Sequence, residues 1–334
     1  MRIGVLLPSM DERGEPLTFT SLSEKASMVE EAGLDAIWKN QHLPVPGDVN
    51  RDYPDPLAYL LLAAEATENI ELGSAVYLVG LLNPAEVAQR FYTMQSLAPG
   101  RFTFGVGTGS QELEYEVSGL DWENRFTRLR ANMAYVRSVF EGRSDITVEK
   151  MFTREGRWRS AEEQPQDAVG PTLAMRVGRP RFALGAWRSR AQLTRCATEY
   201  DAWMGSAGPG TRFGGWKKVF GEAMQNYRAA GGRRAILATV QTDLRVPTRE
   251  LSDEGTFNLA CGPEAVAERI NILEELGFTD VILMFMDFVD RTGLRCYTRD
   301  ELELIRSLVP KDPTDYRTAG NLDAAPVPAS PVST

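Results

Sequence analysis

Apolar and polar positions alternate in blocks that set short buried strands against amphipathic helices. The clearest block runs from Ile70 to Asp121. IELGSAVYL is small and β-branched throughout, which suits a strand buried on both faces. Asn83 then caps a helix with Pro84 at its first position, and Val87, Phe91 and Met94 form an inward stripe. Pro99-Gly100 stops the helix, and RFTFGVG forms the next strand, ending in Gly107-Thr108-Gly109-Ser110. The same alternation predicts strands over 2–9, 34–40, 181–187, 201–206, 234–244 and 279–288, each followed by a helical stretch. Strands at this spacing, joined by crossover helices, require a parallel sheet. Eight such units close into a (β/α)8 TIM barrel over residues 1–310. An open doubly wound sheet with a second domain is the alternative, but no linker divides the chain.

Two stretches break the pattern. Residues 144–178 are polar, rich in Pro and Gly and without a period, which marks an insertion after the fourth β/α unit that acts as a lid or loop. Residues 311–334 are rich in Pro, Ala, Ser and Thr and are expected to be a disordered tail.

Composition narrows the partners. A net charge of −9 argues against nucleic acid or an anionic membrane. No apolar run approaches the length of a membrane span, and the chain opens directly on a strand, so a cytoplasmic setting is expected. Cys196, Cys261 and Cys296 fall in no metal-binding pattern and read as buried thiols, and His42 is the one histidine, so no metal site is expected.

In a barrel, the chemistry collects at the C-terminal ends of the strands. There the chain places His42, a Gly-rich fourth-strand end, Gly185-Ala186-Trp187 and Gly205-Ser206. Glycines let backbone amides approach a phosphate or a flat ring, although each pair taken alone also reads as a tight turn. His42 is either a loop-closing residue beside a half-buried Trp38 or a proton donor and acceptor. With no carboxylate cluster and no nucleophile turn, this face suits a large flat cofactor that carries the reaction itself.

The segments EEAGLDAIWKNQH, NIELGSAVYLVGLLNPAEVAQRFYTMQSLAPGRFTFGVGTGS, SGLDWENRFTRLR, PRFALGAW and GPEAVAERINILEELGFTDVILMF together resemble the bacterial luciferase-like flavin oxidoreductase family. The resemblance implies reduced flavin at the C-terminal barrel face and His42 as the catalytic histidine. It implies that Ser74, Ala75 and Val76 form a bulge, often with a non-prolyl cis peptide, that props the flavin ring. Gly107, Thr108 and Gly109 would lie beside the flavin tail, and Gly185, Ala186, Trp187, Gly205 and Ser206 would form a phosphate cradle. Thr108 stands where luciferase has an arginine.

The resemblance leaves two chemistries. The leading expectation is a monooxygenase using O2 and reduced FMN, the latter supplied by an NAD(P)H-dependent flavin reductase, to oxygenate a small organic substrate. The alternative is hydride transfer with a reduced deazaflavin coenzyme (F-420), and a lesser one is a flavin-binding barrel without turnover. Tyr77, Phe285 and Met286 are candidates for an apolar substrate wall, against ordinary core. Arg157, Arg159 and Arg176 are candidates for an anion clamp, against a solvated lid. A homodimer is expected through the helices at 84–97 and 123–140.

Overall fold

The computed structural model describes residues 1–45, 53–142, 172–208, 214–291 and 293–313, and the backbone alone of 150–152 and 158–160. Its centre is a closed barrel of eight parallel strands: β1 (Arg2–Leu6), β2 (Ala36–Lys39), β3 (Glu71–Tyr77), β4 (Phe102–Val106), β7 (Arg181–Gly185), β8 (Ala202–Ser206), β9 (Ala235–Asp243) and β11 (Asp280–Asp287). Closure comes from the β1–β11 pairing, with Arg2 opposite Asp280. Between the strands run α1 (Phe19–Glu31), α2 (Pro56–Glu65), α3 (Pro84–Leu97), α5 (Arg125–Glu141), α7 (Arg190–Glu199), α8 (Trp216–Ala229) and α9 (Pro263–Leu276), with α10 (Arg299–Leu308) after the last strand. The expected barrel is present.

Smaller elements decorate this frame. A short helix α4 (Glu112–Val117) follows β4, where the sequence suggests only a loop. In the expected insertion, β5 (Lys150–Phe152) and β6 (Trp158–Ser160) pair antiparallel, and α6 (Leu173–Val177) leads into β7. Strand β10 (Asn258–Ala260) pairs with β9, and β12 (Gly293–Leu294) pairs with β11. The rest of the insertion, and the tail beyond 313, lie outside the described residues.

Most apolar residues fill the layer between barrel and helices, including Val87, Phe91 and Met94 of α3. The barrel interior is a smaller cluster built on Leu6, Ala36, Trp38, Ala183, Met204 and Ile282. Trp38 is 1% exposed rather than half-buried. Its indole needs glycine neighbours: a Cβ on Gly4 would stand 2.5 Å from its Nε1, and one on Gly73 2.2 Å from its Cζ3.

Polar groups close the N-terminal end of the barrel. Arg2 and Arg234 both bridge Glu71 and Asp280, at N···O distances of 2.6 to 2.8 Å. Arg181 donates to Thr103, which donates in turn to Glu71. The opposite end, where the strands finish, is where barrels of this kind place their ligands.

Candidate active site

His42 sits three residues past β2, with its side chain 27% exposed. Its Nδ1 lies 3.1 Å from Oε1 of Glu114, and the backbone amide of Leu43 donates to the same oxygen at 2.8 Å. An ionised carboxylate can only accept, so in the neutral imidazole the proton sits on Nδ1 and Nε2 keeps its lone pair. Glu114 is fully buried, and its Oε2 has no hydrogen-bond partner. The Tyr53 ring packs against the imidazole, with centroids 5.2 Å apart. One residue past β2, Asn40 Oδ1 is buried and also unpartnered. Alternation along β2 puts Asn40 on the face of Trp38, towards the barrel axis.

Strand β3 carries the expected irregularity. The Ala75–Val76 peptide is cis, and the β3–β4 register shifts between Ser74 and Tyr77. Ser74 is buried and donates to the Gly105 carbonyl at 2.9 Å. Ala75 belongs to the barrel-interior cluster, with the partly buried Val76 packed against it. Val76 in turn sets the need for glycine on two neighbouring strands. A Cβ on Gly107 would lie 2.8 Å from Val76 Cγ2, and one on Gly185 3.2 Å from Val76 Cγ1.

The end of β4 is held from below. Tyr115 of α4 donates its hydroxyl to the Thr108 carbonyl at 2.7 Å, and the Thr108 hydroxyl turns back to the Gly109 carbonyl. Gly109 has φ +78°, in the left-handed region, and a Cβ there would stand 3.5 Å from Glu114 Oε2. The helix that fixes Thr108 therefore also supplies the partner of His42.

On β7 and β8 the expected cradle residues are mutually connected. The Ala186 carbonyl accepts from the Trp203 indole N–H at 2.8 Å, and the Ala186 amide donates to the Met204 carbonyl. Trp187 is 38% exposed. A Cβ on Gly205 would meet the Trp203 ring at 3.1 Å, so this glycine makes room for an indole. Ser206 accepts from the Gly208 amide at 3.2 Å.

Two expectations are corrected. Tyr77 and Phe285 belong to the layer between barrel and helices. Tyr77 packs on Phe91 of α3 and accepts a hydrogen bond from Arg90, and Phe285 packs on Tyr297. Neither lines the barrel mouth. Alternation from Ile282 and Met284, which face the interior, carries Met286 to the inner face instead. Arg176 is exposed on α6, against α3 and α5 at the start of β7, which is the end away from His42. The side chains of Arg157 and Arg159 lie outside the described residues.

Residue-level sequence reasoning also misses Glu114, Tyr53 and Lys39. Lys39 is 1% exposed, donates to the Leu7 carbonyl at 3.0 Å and the Ser9 hydroxyl at 2.6 Å, and lies over the Tyr59 and Tyr53 rings. Burial pushes its ammonium down to about 7. At the end of β9, burial acts to raise Asp243, but bonds from Arg245 and the Phe288 amide outweigh it and hold the carboxyl below its usual value. Among the described residues no cluster of His, Cys, Asp or Glu could hold a metal ion, and no helix is long and apolar enough to cross a membrane.

Comparison with known proteins fits this geometry. The chain is 36% identical over 174 residues to the F420-dependent glucose-6-phosphate dehydrogenase of Amycolatopsis mediterranei (strain U-32), covering 47% of this chain and 50% of that one. The match thus spans about half the length of the curated relative. In fold, it is similar to an F420-dependent secondary alcohol dehydrogenase in complex with an F420-acetone adduct (TM-score 0.63, 16% identity, 92% of this chain and 98% of the other). It is equally similar to a type II Baeyer-Villiger monooxygenase, the oxygenating constituent of 3,6-diketocamphane monooxygenase of Pseudomonas putida, in complex with FMN (TM-score 0.64, 14% identity, 91% and 96%). At these identities the structures speak to the fold alone. The family model for luciferase-like monooxygenases matches residues 1–250, three quarters of the chain, and the protein belongs to that family.

Proposed function

We propose that the protein is an oxidoreductase that exchanges a hydride between a small hydroxyl-bearing organic substrate and a deazaflavin cofactor, with His42 moving the substrate proton. The observation that carries this reading is the buried Glu114 fixing the His42 imidazole with Nε2 free to accept. The names of the sequence relatives support the deazaflavin over FMN.

The residues present suit such a cofactor. The orphaned Asn40 Oδ1 offers an acceptor at the mouth, and Gly107, beside Val76, and Gly109, beside Leu78, carry no side chain at the end of β4. Asn40, the Ala75-Val76 bulge and the Gly107–Gly109 turn would hold the ring system, with Gly185 to Trp187 and Ser206 towards its anionic tail. When bound, the deazaflavin supplies the hydride acceptor. The chain's own part is proton handling. Nε2 of His42 takes the hydroxyl proton of an alcohol, and the Glu114 carboxylate stabilises the imidazolium that results. The Leu43 amide shares the same carboxylate oxygen, so Glu114 stays in place through the transfer.

The FMN monooxygenase reading, with O2 and a partner reductase, rests on the Gln41-His42 and Thr108-Gly109 strand ends. Anaerobic titration with FMN and with the deazaflavin separates the two. Deazaflavin binding, followed by loss of its visible absorbance with glucose 6-phosphate or simple alcohols and not with His42→Ala, supports hydride transfer. Preference for FMN and oxygen uptake on admitting air would overturn it. A homodimer belongs to the same reading and is supported by the exposed Leu97 of α3 and Phe126 of α5; sedimentation velocity tests it.

A further inference from the structure

Lys39 occupies a costly position. Two residues earlier on the same face of β2, Ile37 fills the layer between barrel and helices as an apolar side chain. An ammonium in that layer loses hydration, and among the described residues its contacts include no carboxylate. Its donors go instead to the Leu7 carbonyl and the Ser9 hydroxyl past β1, and its remaining face meets two aromatic rings. The ring centroids of Tyr59 and Tyr53 lie 5.1 and 5.9 Å from Nζ, within the reach of a cation–π attraction. Tyr53 in turn packs on His42. Glu114 of α4 therefore grips the imidazole at Nδ1 while Tyr53, from the loop ahead of α2, bears on the ring.

We propose that Lys39 is a positioning residue for His42, acting through Tyr53: its ammonium pins the Tyr53 ring against the imidazole and keeps Nδ1 directed at Glu114. The proposal takes from the function above the role of His42 as the proton-handling group. It adds a contact on the ring that Glu114 does not provide. Because burial brings the Lys39 ammonium close to neutral pH in its titration, this contact weakens as the pH rises past that range.

The chain has one histidine, so 15N-histidine labelling gives a single imidazole spectrum that is His42 alone. The wild-type protein should show one neutral tautomer, protonated at Nδ1, and ring-proton signals displaced by the Tyr53 ring current. Lys39→Met and Tyr53→Leu should each shift those signals towards values of a free imidazole and mix the two tautomers. The proposal is overturned if Lys39→Met keeps the wild-type His42 spectrum, including the case in which it lowers only the melting temperature. Should Lys39→Met fail to fold, Lys39→Gln, which keeps a donor for the Leu7 carbonyl but carries no charge, has the same two outcomes. No cofactor or substrate enters the readout. A failed turnover assay therefore counts against hydride transfer, and an unmoved His42 spectrum counts against Lys39.

Discussion

Replacing Glu71 by Gln tests the polar closure at the foot of the barrel. Glu71 is fully buried and accepts from Arg2 at 2.6 Å, from Arg234 at 3.0 and 2.8 Å, and from the Thr103 hydroxyl. Burial alone would raise its carboxyl; the guanidiniums of Arg234 and Arg2 outweigh that and hold it well below its usual value. In Glu71→Gln, one carboxylate, Asp280, is left to face both Arg2 and Arg234, and the new amide NH2 points a donor at donors. Breaking a buried ion pair from one side costs about 3–5 kcal/mol, a large fraction of the ~5–15 kcal/mol that holds a typical protein folded. Urea unfolding followed by tryptophan fluorescence measures the loss. The pH dependence adds a second check with a defined sign. A depressed folded-state value means the contribution is complete above the unfolded value of 4.5 and is lost as the pH falls below it. The gap between wild type and variant should then be flat from neutral pH to about 5 and shrink below that, by up to about 1.4 kcal/mol per pH unit. A gap under about 1 kcal/mol at pH 7, or one that does not shrink in acid, would show that the network is not held by charge.

Further outcomes follow from the same geometry. Glu114→Gln keeps the shape of the side chain but removes the charge under the imidazole, so turnover should fall about tenfold or more while deazaflavin binding persists; unchanged turnover would remove Glu114 from the proton path. Gly73→Ala places a Cβ 2.2 Å from Trp38 and 2.7 Å from the Thr103 carbonyl, and should cost about 1–3 kcal/mol in denaturant unfolding. A variant as stable as wild type would mean that the Trp38 indole has another place to go. Tyr77→Phe and Phe285→Leu should lower the melting temperature and leave KM for the substrate unchanged, because both side chains face helices; a raised KM with an intact fold would return them to the substrate wall.

The barrel was legible because its signals are local. Strands buried on both faces, the Asn83-Pro84 cap and the Pro99-Gly100 stop after α3 each act within a few residues, and Asn83 does accept from the Ala85 amide. The direction of side chains was not legible, for the same reason. When both faces of a strand are apolar, alternation does not say which face is inside, and the register shift between Ser74 and Tyr77 moves the count again. That is why Tyr77 and Phe285 read as site residues and pack among helices. Glu114 was hidden differently: ELEYEV carries three glutamates, and only the docking of α4 beneath Thr108 selects the middle one for burial. Lys39 looks like a strand-end charge in solvent until α2 brings Tyr59 over it.

The buried carboxyl groups at the two ends of the barrel are satisfied to different degrees. At the foot, Glu71 and Asp280 each accept from two arginines, and neither has an oxygen without a partner. At the mouth, Asn40 Oδ1 and Glu114 Oε2 are buried and unpaired; the third such oxygen among the described residues, Gln95 Oε1, lies on α3. Leaving a buried acceptor without a donor costs about 1–3 kcal/mol. Glu71 and Asp280 are fully paired, although the Arg306 nitrogens beside Asp35 are not, and the two orphaned oxygens at the mouth are where a ligand or a moving proton would recover stability under the proposed function.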